Sequence, residues 1–161
     1  MRVLGIDPGT ATTGYGIIDG HEGQVTTVTY GAIQTSSKLE MPERLAQIYA
    51  ELSELIKAYR PDAAAIEELF FGRNVTTAIT VGQARGVLIL ALTHAGIPIA
   101  EYKPAVIKQT IAGYGQADKA QMQLMVRHLL DLEETPRPDD AADGLAIAIT
   151  HYQYQQYQAL M

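Results

Sequence analysis

The chain has no cysteine. Disulfides, thiolate metal sites and a cysteine nucleophile are thereby excluded, and the composition is compatible with a reducing cytosol. Long hydrophobic runs are missing too. The longest, near Val87–Leu92, falls far short of the roughly 20 residues that cross a bilayer. Met1-Arg2 leads directly into a strand-like stretch, so no signal peptide is expected and the predicted setting is cytoplasmic, without a membrane partner. Positive charge is scarce: 12 Lys and Arg stand against 18 Asp and Glu, a net charge of −6. Taken alone, that balance argues against nucleic acid as a partner. What is present is 161 residues, 47% hydrophobic and 19% charged, enough for one domain with its own core and unlike a disordered, collagenous or coiled-coil chain. The few bases are also unevenly placed. Between Leu69 and His128 lie Arg73, Arg85, Lys103, Lys108, Lys119 and Arg127 against only Glu101 and Asp118, a +4 segment inside a −6 chain. Such a basic middle suits a local anion-binding face, while the acids elsewhere would keep the protein soluble.

The first third predicts strands at Arg2–Asp7, Thr12–Asp19 and Val25–Gln34, the last two joined by a turn over Gly20–Gly23. The period then changes. Leu45, Ile48, Tyr49, Leu52, Leu55 and Ile56 form an amphipathic helical stripe within Pro42–Tyr59, which Pro61 stops. Ala63–Ile66 is a short apolar run of the kind buried on both faces of a sheet. Further helices are predicted over Thr76–Ala95, Pro104–Ala112, Asp118–Leu130 and Asp139–Tyr152, with a strand at Ile97–Tyr102. A β-meander leading into β-α units implies an α/β fold: a mixed five-stranded sheet flanked by helices on both faces. Residues 1–152 would form this domain, and 153–161 a short Tyr/Gln-rich tail that frays.

Four carboxylates call for a reason. Asp7 ends the apolar strand Val3-Leu4-Gly5-Ile6, and Glu67 ends Ala63–Ile66 in the same way. A carboxylate at the end of a buried strand is costly unless paired or metal-bound, and ligands of open sheets gather beyond the carboxyl ends of parallel strands. Asp7 could instead simply cap the Pro8-Gly9 turn. Asp140 and Asp143, at i and i+3 of the last helix, share one face. Asp140 alone would be ordinary complementation of the helix dipole, and Asp139 reads as the N-cap. Asp143 lies deeper, among alanines and Leu145, Ile147 and Ile149. Oxygen ligands without sulfur and with little histidine suit Mg²⁺, with Mn²⁺ able to substitute, rather than Zn²⁺. Two such ions can clamp an in-line phosphoryl displacement.

Gly5-Ile6-Asp7-Pro8-Gly9-Thr10, Thr13-Gly14-Tyr15-Gly16, Ile66-Glu67, Gly82-Gln83-Ala84-Arg85-Gly86, Val106-Ile107-Lys108-Gln109-Thr110, Ala117-Asp118-Lys119 and Asp140-Ala141-Ala142-Asp143 follow one another in this order. Together, from Met1 to about Tyr152, they resemble the RuvC-type Holliday junction endonucleases, which have an RNase H-like fold. The resemblance implies a homodimer that binds a four-way DNA junction and nicks two symmetry-related strands, leaving 5′-phosphate and 3′-hydroxyl ends. It implies Asp7, Glu67, Asp140 and Asp143 as catalytic, metal-binding acids, with Glu68 the neighbouring alternative to Glu67. It further implies two Mg²⁺ ions per site and a branch-migration partner of the RuvA–RuvB type. Phe70, by resemblance, stacks at the junction centre. Phe70 and Phe71 are also the chain's only phenylalanines, and an aromatic pair before Gly72-Arg73-Asn74 can wedge between bases or serve the core. Lys108 and Lys119 fit phosphate contacts, with Arg73, Asn74 and Arg85 as further DNA-binding candidates. Gly82 and Gly86 would pack a helix on the sheet or form the two-fold interface that the family places on this helix, and His151 reads as structural. The Tyr/Gln tail departs from the basic ends frequent among relatives.

Three other readings compete. A ribonuclease of the same fold acting on structured RNA would share the acids. A non-catalytic junction binder would not need them. An actin-like phosphotransferase, suggested by Asp7–Thr10, would need two such domains.

Overall fold

The computed structural model describes residues 1–69 and 74–161. Five strands, β1 (Arg2–Asp7), β2 (Thr12–His21), β3 (Gln24–Gln34), β4 (Ala63–Glu67) and β5 (Ile99–Tyr102), form one sheet in the order β3-β2-β1-β4-β5. The meander β1–β3 is antiparallel, and β4 and β5 join parallel to β1. Five helices complete the chain: α1 (Met41–Tyr59), α2 (Val75–His94), α3 (Pro104–Ala112), α4 (Lys119–Leu129) and α5 (Asp139–Ala159). This is the mixed, helix-flanked RNase H-like architecture that the sequence implies.

Strand alternation divides the core in two. Leu4, Ile6, Ile17, Ala64 and Ile66 point to one face, where Ile48, Leu52 and Ile56 of α1 and Ala84, Leu88 and Leu92 of α2 cover them. Val3, Ile18 and Ala65 point to the other face, against α5, α3 and α4. Each fully buried Leu or Ile contributes roughly 1.5–3 kcal/mol relative to exposure, which ties the three central strands to both helical layers. Because side chains alternate with period two, Asp7 and Glu67 fall on the α5 face with Val3 and Ala65.

The helix ends follow from local chemistry. A capping box between Glu40 and Glu43 starts α1, and Arg60 ends it in the left-handed conformation just before Pro61. Asn74 accepts from the Thr77 amide to start α2, and Asp118 and Gln121 form the capping box of α4.

Four expectations change. β2 runs on to His21, so the hairpin turn is Glu22-Gly23, both at positive φ, as a two-residue turn matching the sheet twist requires. β5 begins at Ile99 rather than Ile97. Asp139 is the first helical residue of α5, and Pro138 occupies the N-cap. The segment expected to fray after Tyr152 continues α5 to Ala159. Tyr and Gln hold no helix breaker, and Tyr154 packs on Tyr102 with ring centroids 5.2 Å apart. One apolar segment is also longer than the run at Val87–Leu92 indicates: α2, at 20 residues, is long and apolar enough by length and composition to cross a membrane. Its buried residues are nonetheless committed to α1 and the sheet.

Candidate active site

The site begins with strand pairing. Gly5 pairs with Ala65 and Ile6 with Ile66 in the parallel β1–β4 ladder, so Asp7 and Glu67 are the next residues on adjacent strands. On the other side Asp7 pairs with Gly14 of β2. The α5 face of this sheet centre is nearly bare of side chains, since Gly5, Gly14 and Gly16 all face the helix. A β-carbon on Gly14 would collide with the Asp140 carbonyl, and one on Gly5 with the Gly144 carbonyl. Gly144 in turn sits against the backbone of Tyr15 and Gly16. The glycines therefore let the first turns of α5 lie directly on β1 and β2, which brings its carboxylates to the end of β1.

As a result, carboxylate oxygens of Asp7, Asp140 and Asp143 lie within 4.8 Å of one another, half-buried. Glu67 stands at the margin of this trio. Together with Asp7 it lines both flanking cavities, one over α2 and one enclosed by α3, α4 and α5. Glu68 lines only the first.

Packing acids this closely raises the cost of ionising them. Burial pushes Asp7 up to about 8, assisted by the charges of Asp143, Glu67 and Asp140. Interaction with Asp7 works in the opposite direction on Asp143, lowering it. Burial also raises Glu67, reinforced by Asp143 and opposed by Lys108. Asp143 is raised by burial while Lys119 pulls it down. A half-buried, mutually repelling set of oxygen donors fits a divalent cation, which would relieve the repulsion and leave every carboxylate ionised.

Lys108 of α3 and Lys119 of α4 line the cavity that holds Asp7, Glu67 and Asp143. Lys119 also reaches Asp139 at 3.4 Å. Burial alone would lower its pKa, but Asp143, Asp139 and Asp140 raise it, so it stays a cation.

Other candidates are placed differently. Arg85 is held rather than free: its Nη2 pairs with Glu101 at 2.8 Å and its Nε donates to the Glu67 carbonyl at 3.4 Å. That makes it a clamp on the end of β4. The side-chain oxygen of Asn74 is committed to capping α2. Phe70, Phe71 and Arg73 lie outside the described residues. His151 is buried with Nδ1 at 2.8 Å from the Tyr102 hydroxyl, a structural contact about two turns beyond Asp143 along α5.

A third cavity adjoins the acids on the α1 side. It is bordered by the loop at Gly9–Thr12, by Thr77 and Val81 of α2, and by Asp140 and Arg44. Nothing in the sequence singles out Arg44, because a base in an amphipathic helix is ordinary surface. The signal lies only in the tertiary contact of its Nε with Thr35 Oγ1 at 2.8 Å.

Comparison with known proteins agrees with this geometry. The family model described as "Crossover junction endodeoxyribonuclease RuvC" matches residues 3–151. Proteins of that description from Chloroflexus aurantiacus and Syntrophomonas wolfei are 60% and 58% identical over 151 residues. These alignments cover 94% of this chain and 92% and 88% of the relatives. The Thermus thermophilus RuvC structure in complex with Holliday junction substrate superimposes with a TM-score of 0.93 at 39% identity, covering 98% of this chain and 96% of the other. With its sheet order, its glycine-seated α5 and its acid cluster alike, the chain belongs to the RuvC family of crossover junction endodeoxyribonucleases.

Proposed function

We propose that the protein is a divalent-metal-dependent endonuclease that resolves four-way DNA junctions by paired symmetric nicks in recombination and repair. The observation that carries this reading is the convergence of Asp7, Asp140 and Asp143 within 4.8 Å. Asp7, Glu67, Asp140 and Asp143 would hold the metal, Mg²⁺ with Mn²⁺ as a substitute, as two ions per site. When bound, the metal supplies Lewis-acid stabilisation of both the attacking and the leaving oxygen of an in-line displacement.

The chain's own residues do the rest. Asp7, Glu67, Asp140 and Asp143 would be ionised when they hold the metal, giving up any proton to solvent, and would fix it at the end of β1. Lys108 and Lys119, on the open side of Asp143, hold the non-bridging oxygens of the scissile phosphodiester and offset charge that grows in the transition state. Water adds to phosphorus and gives up a proton to solvent as the bond to the 3′-oxygen breaks and that oxygen takes a proton from solvent, leaving 5′-phosphate and 3′-hydroxyl ends.

Paired nicking calls for two sites, and α2 supports a homodimer. Ile79, Gln83, Gly86 and Leu90 follow one another along its outer face, with Ile79 56% and Leu90 47% exposed and open space beside Gly86. By resemblance Phe70 would stack on bases at the junction centre, with Phe71, Arg73 and Asn74 as further candidate DNA contacts. By family resemblance its partner would be a RuvA–RuvB-type complex, in a cytoplasmic setting. Cleavage of a synthetic four-way junction, a linear duplex and a structured RNA tests the reading. Symmetric nicks in the junction alone are expected. Cleavage of the RNA alone would move the chain to the ribonucleases of this fold.

A further inference from the structure

We infer that Arg44 and the loop at Gly9–Thr12 form a second phosphate subsite, for a phosphodiester of the cleaved strand on the opposite side of the acids from Lys108 and Lys119. The inference rests on the proposed junction activity. Three observations carry it.

First, a cavity of about 460 Å³ at Arg44 borders the catalytic groove. It shares Thr77 and Val81 with the cavity over Asp7 and Glu67, and Asp140 forms part of its wall. Asp143 instead lines the cavity of the two lysines. The two α5 acids therefore separate a groove with Arg44 at one end from a groove with Lys108 and Lys119 at the other. A strand whose scissile phosphate sits on the acids must carry neighbouring phosphates both ways.

Second, the guanidinium is fixed in place. Its Nε donates to Thr35 Oγ1 at 2.8 Å, Thr35 Oγ1 donates to the Thr10 carbonyl at 2.6 Å, and Thr10 Oγ1 donates to the Thr80 carbonyl at 2.8 Å. This chain links α1, the residue just after β3, the loop after β1 and α2, with Thr10 and Thr35 buried. An arginine held through Nε presents its two Nη groups as a preorganised fork, the geometry that suits phosphate oxygens.

Third, that fork is uncommitted: among the described residues Arg44 makes no ion pair, whereas Arg2 and Arg85 each pair with an acid.

The experiment scans the cleaved strand of a four-way junction with single neutral methylphosphonates, measuring binding in EDTA and cutting in Mg²⁺ for wild type, Arg44→Gln and Lys119→Ala, with Tm as the control for folding. In wild type, neutralising one phosphate on the Arg44 side should weaken binding roughly tenfold, as loss of one charge-assisted contact does. In Arg44→Gln that substitution should cost nothing further, while the phosphate sensed by Lys119 keeps its effect. The slope of log affinity against log salt should fall by about 0.7–0.9. An unchanged scan in Arg44→Gln overturns the subsite, whether or not the variant is less stable. Should Arg44→Gln not fold, Arg44→Lys keeps the charge without the fork. Reduced sensitivity at the same phosphate is then expected, and full sensitivity contradicts the inference. ATP serves as the free-phosphate alternative: a Tm rise with ATP in wild type that is lost in Arg44→Gln would assign the site to a nucleotide and overturn the DNA subsite. A wild type that neither binds nor cuts the junction would instead remove the proposed function itself, and this subsite with it.

Discussion

Gly14 lies directly beneath Asp140: a β-carbon at position 14 would occupy the space of the Asp140 backbone carbonyl. The placement of a candidate metal ligand thus depends on the absence of a side chain on a neighbouring strand. Gly14→Ala should lift the first turn of α5 and spread the acid cluster. Overpacking of this kind costs about 1–3 kcal/mol, or a Tm loss of a few degrees for a domain of this size. Cutting should fall more than tenfold while junction binding persists. Thermal melts beside cleavage and gel-shift assays check this, and unaltered cutting would show that α5 need not sit so close.

Asp7→Asn should abolish cleavage and leave junction affinity equal or higher, because it removes a metal ligand while leaving Lys108 and Lys119 in place for phosphate. Binding and cutting measured on the same preparation decide it. Loss of both to the same extent would count against a metal-holding role for Asp7.

The metal-free protein should lose stability as pH rises. Burial and neighbouring acids push Asp7 up to about 8 in the folded state, against roughly 3.9 for an unfolded chain. Between those values the folded state binds the extra proton, so stability is fully present below about 4 and declines up to about 8. Melts from pH 5 to pH 8.5 in EDTA should show the decline. Asp7→Asn should flatten it, and Mg²⁺ should restore the loss at the alkaline end. A flat wild-type profile would contradict this cost of crowding the carboxylates.

Lys119 and Arg85 should separate in a single pair of assays. Lys119 is more than half exposed and lines the acid cavity, so Lys119→Ala should reduce the salt dependence of junction binding by about one phosphate contact with little change in Tm. Arg85 is tied to Glu101 and to the Glu67 carbonyl, so Arg85→Ala should lower Tm and slow cutting without changing the salt slope. The opposite pattern would exchange their roles.

Much of this site was legible in the sequence because it is written in local patterns. Asp7 and Glu67 end apolar runs, and Asp140 and Asp143 share a helical face, so each could be singled out from its neighbours. Their meeting depends on contacts far apart in sequence: the β1–β4 register beside Asp7 and Glu67, and the glycine seat beneath α5. The pattern did contain Gly5, Gly14 and Gly16, but only the alternation of the strands shows that all three face one helix. Arg44 was illegible because its anchor Thr35 lies just after another element. The helical course of α5 past Tyr152 was readable in principle, since Tyr and Gln include no residue that stops a helix. The pairing of Arg85 with Glu101 is not legible locally, because Glu101 lies in β5, beyond any local window.

The most direct measurement is cleavage of a synthetic four-way DNA junction in Mg²⁺, Mn²⁺ or EDTA, with wild type beside Asp143→Asn. Paired symmetric nicks in either metal, none in EDTA and none from Asp143→Asn at undiminished binding are expected. Nicking that persists in EDTA or in Asp143→Asn would contradict an acid-held metal centre at the end of β1.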